Sequence, residues 1–219
     1  MDIALRRFTV VVFVALTAAA SCLAQGNGAG AGPQGAGGQN AGGRGAQAPP
    51  LLIAIPAFPD GGDVPDKFSC TSVPPLGDPH LPGSLSPEIS WSQAPPGTQS
   101  FLVLVHDPEP HPGKGVTDNT HWLIWNIPAT ATGLPEGVLP GGTLPDGSHQ
   151  LKGNGNNAIA GYRGPCAPPG PDHHYTWELW ALDAMLHAGE NATRADVMKE
   201  ADGHILGVAI WIGMFHRTQ

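Results

Sequence analysis

Three stretches of this chain carry side chains able to do chemistry. They are Val105-His106-Asp107-Pro108-Glu109-Pro110, then Asn119-Thr120-His121-Trp122, then Gly161-Tyr162-Arg163-Gly164-Pro165-Cys166-Ala167-Pro168-Pro169-Gly170 running into His173-His174-Tyr175. An anion is held by converging N–H and O–H donors. Imidazole and phenol supply them from side chains, and a Gly/Pro loop offers backbone amides with little steric cover. A carboxylate beside a histidine fixes its tautomer and favours the protonated form, so Asp107 and Glu109 can support such a site indirectly. Taken singly, His121 or His173 is more often a structural histidine than a ligand; their joint occurrence lifts the functional reading. His106 has no motif behind it and reads as a surface or core residue, while His174 is ambiguous because it alternates with two candidate pocket residues.

Other chemistries fit less well. A metal site from Asp107, His121 and His173 suits zinc by ligand type, but a local pair such as His-x-x-x-His is missing, so no metal is expected. Gly153-Asn154-Gly155-Asn156-Asn157-Ala158 lacks the strand-then-helix setting of a dinucleotide loop and reads as a turn. There is no Gly-x-Ser-x-Gly elbow and no phosphate loop ending in Gly-Lys-Ser/Thr. No cofactor is implied.

The elements that must position these groups are strands. Leu51–Ile55, Ser100–His106, His121–Ile127, Tyr175–Asp183 and Ile205–Phe215 are apolar or alternating runs bounded by Pro, Gly, Asp or Asn. In the fourth run Tyr175, Trp177, Leu179 and Ala181 share one face, and Thr176, Glu178, Trp180 and Leu182 the other. One helix is expected near the C-terminus, where Thr193 and Asp196 form a capping-box pattern ahead of Val197, Met198 and Ala201, and Gly203 ends it. Prolines spread through the domain disfavour further long helices. The fold class is therefore mainly β, a two-sheet sandwich with one or two short helices.

The first 24 residues read as a leader: Arg6 and Arg7, an apolar stretch from Phe8 to Ala20, then small residues with cleavage after Ala24. The stretch is shorter than the roughly 20 residues a bilayer requires. Export to the periplasm or medium is the expectation; lipid modification of Cys22, the one route to membrane contact, is the less favoured alternative. Residues 25–50 are Gly, Ala, Gln, Asn and Pro with Arg44 as their single charge, the composition of a disordered spacer. The domain is then residues 51–219, which hold all six Trp and all ten His. Loss of the leader removes two positive charges and one negative, taking the formal charge from −8 to −9. An acidic chain without a basic stripe is unsuited to nucleic acid. Two cysteines then remain, and in an oxidising compartment Cys70 and Cys166 are expected to form a disulfide.

Ordered along the chain, these stretches resemble the phosphatidylethanolamine-binding proteins, particularly their bacterial branch. The family's Asp-Pro-Asp-Ala-Pro and His-Trp signature appears as Asp107-Pro108-Glu109-Pro110 with His121-Trp122, and its Tyr-x-Gly-Pro-x-Pro-Pro loop and His-x-Tyr as Tyr162 to Pro169 with His173 to Tyr175. Phe58-Pro59-Asp60-Gly61-Gly62, Ser86 to Trp91, Pro95 to Thr98 and Trp180 to Asp183 agree, so the likeness spans about residues 52–217. It implies a head-group pocket lined by Asp107, Glu109, His121, Gly164, Pro165, His173 and Tyr175, taking a small anion or phospholipid head group, and modulation of a kinase or protease partner. Glu109 in place of Asp, Pro110-His111 in place of Ala-Pro, and Ala167 within the loop are departures that bear on ligand size. The reading is a binding protein; the alternative is a lyase, cyclase or hydrolase with His121 or His173 as general base and Asp107 orienting it.

Overall fold

The alternation along Tyr175–Leu182 has a structural counterpart in two separate cores. Tyr175, Trp177, Leu179 and Ala181 pack with Phe101, Val103, Val105, Trp122 and Ile124 on one face of a sheet, while Leu182 joins Leu102, Leu104, Leu123 and Trp125 on the other. The computed structural model describes residues 49–72, 85–152 and 160–218. The expected leader, the spacer up to residue 48 and the turn at 153–158 lie outside the described residues; Pro49 and Pro50 are exposed and outside any element.

Among the described residues the strands are β1 (Leu52–Ala54), β2 (Gly62–Asp63), β3 (Ile89–Ser92), β4 (Ser100–Asp107), β5 (Asn119–Pro128), β6 (Gly133–Leu134), β7 (His149–Gln150), β8 (His173–Leu182) and β9 (Ile205–Phe215), with one α-helix, α1 (Arg194–Ala201). Among the described residues, two sheets form: β1-β3-β6, and a six-stranded sheet in the order β2-β9-β8-β4-β5-β7. This is the mainly β, two-sheet fold expected. All five expected strands and the capped helix are present, and Thr193 and Asp196 make both bonds of the capping box. The short strands β2, β6 and β7, two residues each, carry too little pattern to be read beforehand.

The inner core lies between the sheets; the outer core lies between the six-stranded sheet and the segment ending in α1, whose Val197 and Ala201 are fully buried. Trp122, Trp125, Trp177 and Phe101 have essentially no solvent exposure, and burial of side chains this large stabilises by roughly 2–3 kcal/mol apiece. Gly213, on β9 opposite Tyr175, leaves the space this packing needs: a Cβ there would lie 2.5 Å from Val64 and 2.9 Å from both Phe58 and Trp177. Among the described residues no helix is long and apolar enough to cross a membrane.

Candidate functional site

The site follows from strand direction. β4 is flanked by β5 and β8, both antiparallel to it, so the C-terminal end of β4 lies between the starts of its two neighbours. Asp107 closes β4, Asn119 and His121 open β5, and His173 and Tyr175 open β8. Residues more than 60 positions apart thus meet at one end of the sheet. Asp107 follows Val103 and Val105 on the inner face and is 2 % exposed.

A β-bulge aims His121. Val105 pairs with Trp122 but His106 pairs with Thr120, so His121 is the extra residue. Regular alternation would turn His121 and Trp122 to opposite faces. The bulge sets both toward the inner core, where His121 meets Tyr175 edge-on at 5.0 Å between ring centroids and Trp122 meets Tyr162 at 5.6 Å.

His121 serves the loop as a donor to carbonyls. Its Nδ1 lies 2.9 Å from the Arg163 oxygen and 3.1 Å from the Gly164 oxygen. Carbonyls only accept, so the proton sits on Nδ1, and Nε2 accepts from the Asn119 amide at 3.1 Å. Burial drives its pKa down to about 4 despite the two carbonyls. The ring is therefore neutral at pH 7, with its single N–H turned to the backbone.

Asp107 joins the remaining members. Its Oδ2 lies 2.7 Å from His173 Nδ1, and its Oδ1 accepts the Glu109 N–H at 3.1 Å. Burial, then the neighbouring Glu109 carboxyl, raise the Asp107 pKa above the ordinary range, against the opposing pull of His173. Glu109, the longer side chain at its position, reaches across to His174, accepting from its backbone N–H at 3.1 Å and meeting its Nδ1 at 2.7 Å. Burial opposes ionisation of Glu109, but hydrogen bonds from Asp107 and His174 outweigh it and hold its pKa low. Asp107, Glu109 and His173 each present a ligand atom within 4.8 Å of the others, so these three, rather than a set containing His121, could converge on a cation.

The Gly-Pro loop is fastened from several sides. Tyr162 donates to the Phe68 carbonyl at 3.0 Å, the Arg163 N–H donates to the His121 carbonyl at 3.0 Å, and the Cys166 N–H donates to the Tyr175 hydroxyl at 2.9 Å. The Cys70–Cys166 disulfide is present, with Cα atoms 5.3 Å apart, and the Cys70 N–H donates to the Pro165 carbonyl. Burial and the Asp107 charge raise the Tyr175 phenol pKa, so it stays protonated. Gly164 and Pro165 are buried. Of the amides expected to face an anion, those of Arg163 and Cys166 are thus already engaged.

All seven expected residues gather at this end of the fold, but they do not all line one cleft. A cleft of about 450 Å³ opens beside them, walled by the start of β5 and the first turn of α1, and His121 is the one expected residue on its surface. Sequence reading also missed an ionic group on the outer face. His106 Nδ1 meets Asp118 at 2.6 Å and its Nε2 meets Glu178 at 3.2 Å, while Arg194 pairs with Asp118. Burial lowers the His106 pKa, but the bonds from Glu178 and Asp118 more than offset it and raise it overall. No local motif marks this group, because its members come from β4, β8, α1 and the segment before β5.

A two-sheet β fold with an acid–histidine cluster at one sheet end, braced by a Gly-Pro loop, defines a class of small binding domains. Residues 54–216 match the family described as phosphatidylethanolamine-binding protein, and the chain belongs to that family. A UPF0098 protein of Methanothermobacter thermautotrophicus is 38 % identical over 161 residues, covering 74 % of this chain and 95 % of the relative. The UPF0098 protein YbcL of Escherichia coli is 44 % identical over 103 residues, 46 % of this chain and 54 % of YbcL. The crystal structure of E. coli YbcL, described as a new member of the mammalian PEBP family, superposes with a TM-score of 0.62 at 26 % identity, covering 76 % of this chain and 98 % of that one. A putative phosphatidylethanolamine-binding protein homologue of Chlamydia trachomatis gives 0.62 at 27 % identity, covering 77 % and 98 %.

Proposed function

We propose that this chain is an exported binding protein whose Asp107–His173 pocket takes a small phosphate-bearing head group. The observation that carries the reading is the 2.7 Å contact between Asp107 Oδ2 and His173 Nδ1. With Nδ1 turned to the carboxylate, Nε2 is the ring nitrogen left to face a ligand, and an Nε2–H there is a donor to phosphate. Glu109, partly exposed, offers a carboxylate to an ammonium, so a zwitterionic head group satisfies both signs of charge. His121 acts behind this pair by holding the loop. Export accords with the leader pattern of residues 1–24 and with a disulfide, a bond that persists in oxidising compartments. A kinase or protease partner is part of the same proposal, on family resemblance.

The test is an NMR titration with O-phosphorylethanolamine. The His173 ring resonances are expected to shift saturably, and His173→Gln to weaken binding about tenfold, the loss of one charge-assisted hydrogen bond. Unmoved His173 and Tyr175 resonances at millimolar ligand would overturn the reading. Export is checked by fractionating cells that make the chain with and without residues 1–24: only the full chain should leave the cytoplasm.

A further inference from the structure

The cleft of about 450 Å³ beside the pocket is a site of a different kind. Its charged groups are unequally matched. Arg194 on its wall is paired with Asp118 and donates to Thr120 Oγ1 at 3.1 Å. Arg163 is half-buried, and its one side-chain bond into this wall runs from Nη2 to the Thr120 carbonyl at 2.7 Å; among the described residues no carboxylate pairs with it. A guanidinium carries five N–H donors, and a desolvated one without a counter-charge is costly. Burial alone acts on Arg163, lowering its pKa with no anion opposing. Lys152, exposed at the mouth, adds a second cation, and it donates to the neutral Asn191 side-chain oxygen at 2.6 Å. Glu190 is the remaining acid on the lining, and it is exposed. Leu151, Ala192 and Ala195, all reached by solvent, supply apolar wall.

We propose that this cleft binds a small organic anion, a carboxylate on a short apolar body, with Arg163 gripping the carboxylate and the body lying along Leu151, Ala192 and Ala195. A planar fork matches a carboxylate through two parallel hydrogen bonds, which a lone ammonium does not. The volume falls within the range of small-molecule sites. The site is separate from the Asp107–His173 pocket, so either proposal can fail without the other.

The experiment is an NMR titration of the full chain with hexanoate and with hexanamide, its neutral counterpart. Hexanoate is expected to shift the Arg163 Nε–H and the Thr120 and Ala192 amides saturably while the His173 ring resonances stay in place; hexanamide is expected to produce no saturable shift. Arg163→Gln should weaken hexanoate about tenfold. Lys152→Glu, an exposed change that leaves the packing alone, should weaken it about threefold through repulsion at the mouth. Equal response to the two probes, a loss under threefold in Arg163→Gln, or Lys152→Glu binding as tightly as the parent, overturns the proposal.

Discussion

Asp107 Oδ2 and His173 Nδ1 lie 2.7 Å apart although 66 residues separate them in sequence. The carboxylate is almost wholly buried and the imidazole is partly open to solvent, with side-chain exposures of 3 % and 22 %. The pair therefore has a fixed inner end and an accessible outer nitrogen, the arrangement a binding or proton-transfer group needs.

Removing the negative charge alone tests this relationship. Asp107→Asn keeps the shape but withdraws the charged acceptor of the His173 Nδ1–H. The variant is expected to bind O-phosphorylethanolamine about tenfold more weakly than the parent, because the His173 Nδ1–H loses the charged acceptor that fixes the ring. Calorimetric titration of parent and variant with O-phosphorylethanolamine reads this directly; equal affinities would count against the role given to Asp107.

His121 makes a prediction about stability. Its folded-state pKa is about 4 against an ordinary 6.5, so on acidification the unfolded chain takes up a proton that the folded chain refuses. The contribution of His121 is fully present above pH 6.5 and is lost as pH falls toward 4, amounting to about 3 kcal/mol. Urea denaturation at pH 7 and pH 4 should show a smaller drop for His121→Gln than for the parent, by about that amount. An equal drop in both proteins would refute the assignment.

The disulfide spans 96 residues. Chain-entropy reasoning puts the stabilisation from closing so long a loop at roughly 4–5 kcal/mol. The double variant Cys70→Ser, Cys166→Ser should unfold at correspondingly lower denaturant, and reductant should bring the parent to the same midpoint. Because the Cys166 N–H is bonded to the Tyr175 hydroxyl, the Tyr175 ring resonances should move as well.

Gly213→Ala probes the packing behind the pocket. The added methyl meets Val64, Phe58 and Trp177 at distances real side chains do not tolerate, and overpacking of this kind costs about 1–3 kcal/mol. Thermal unfolding should report the loss; a variant as stable as the parent would show that these side chains yield freely.

Much of this protein could be read from its residues in order. Strand alternation over Tyr175–Leu182, the helix cap at Thr193, and the end-of-strand positions of Asp107, His121 and His173 are set by neighbours a few positions away, and local periodicity records them faithfully. The cysteine pair was legible by count once the leader was set aside. Tertiary structure alone decided the rest. The bulge that turns His121 inward depends on how β5 registers against β4; the partner of Glu109 depends on where β8 starts; the unmatched charge of Arg163 depends on which carboxylates the fold brings near it. Each is a relation between segments more than a dozen residues apart, and a linear pattern holds no record of distances that only the closed sheet creates.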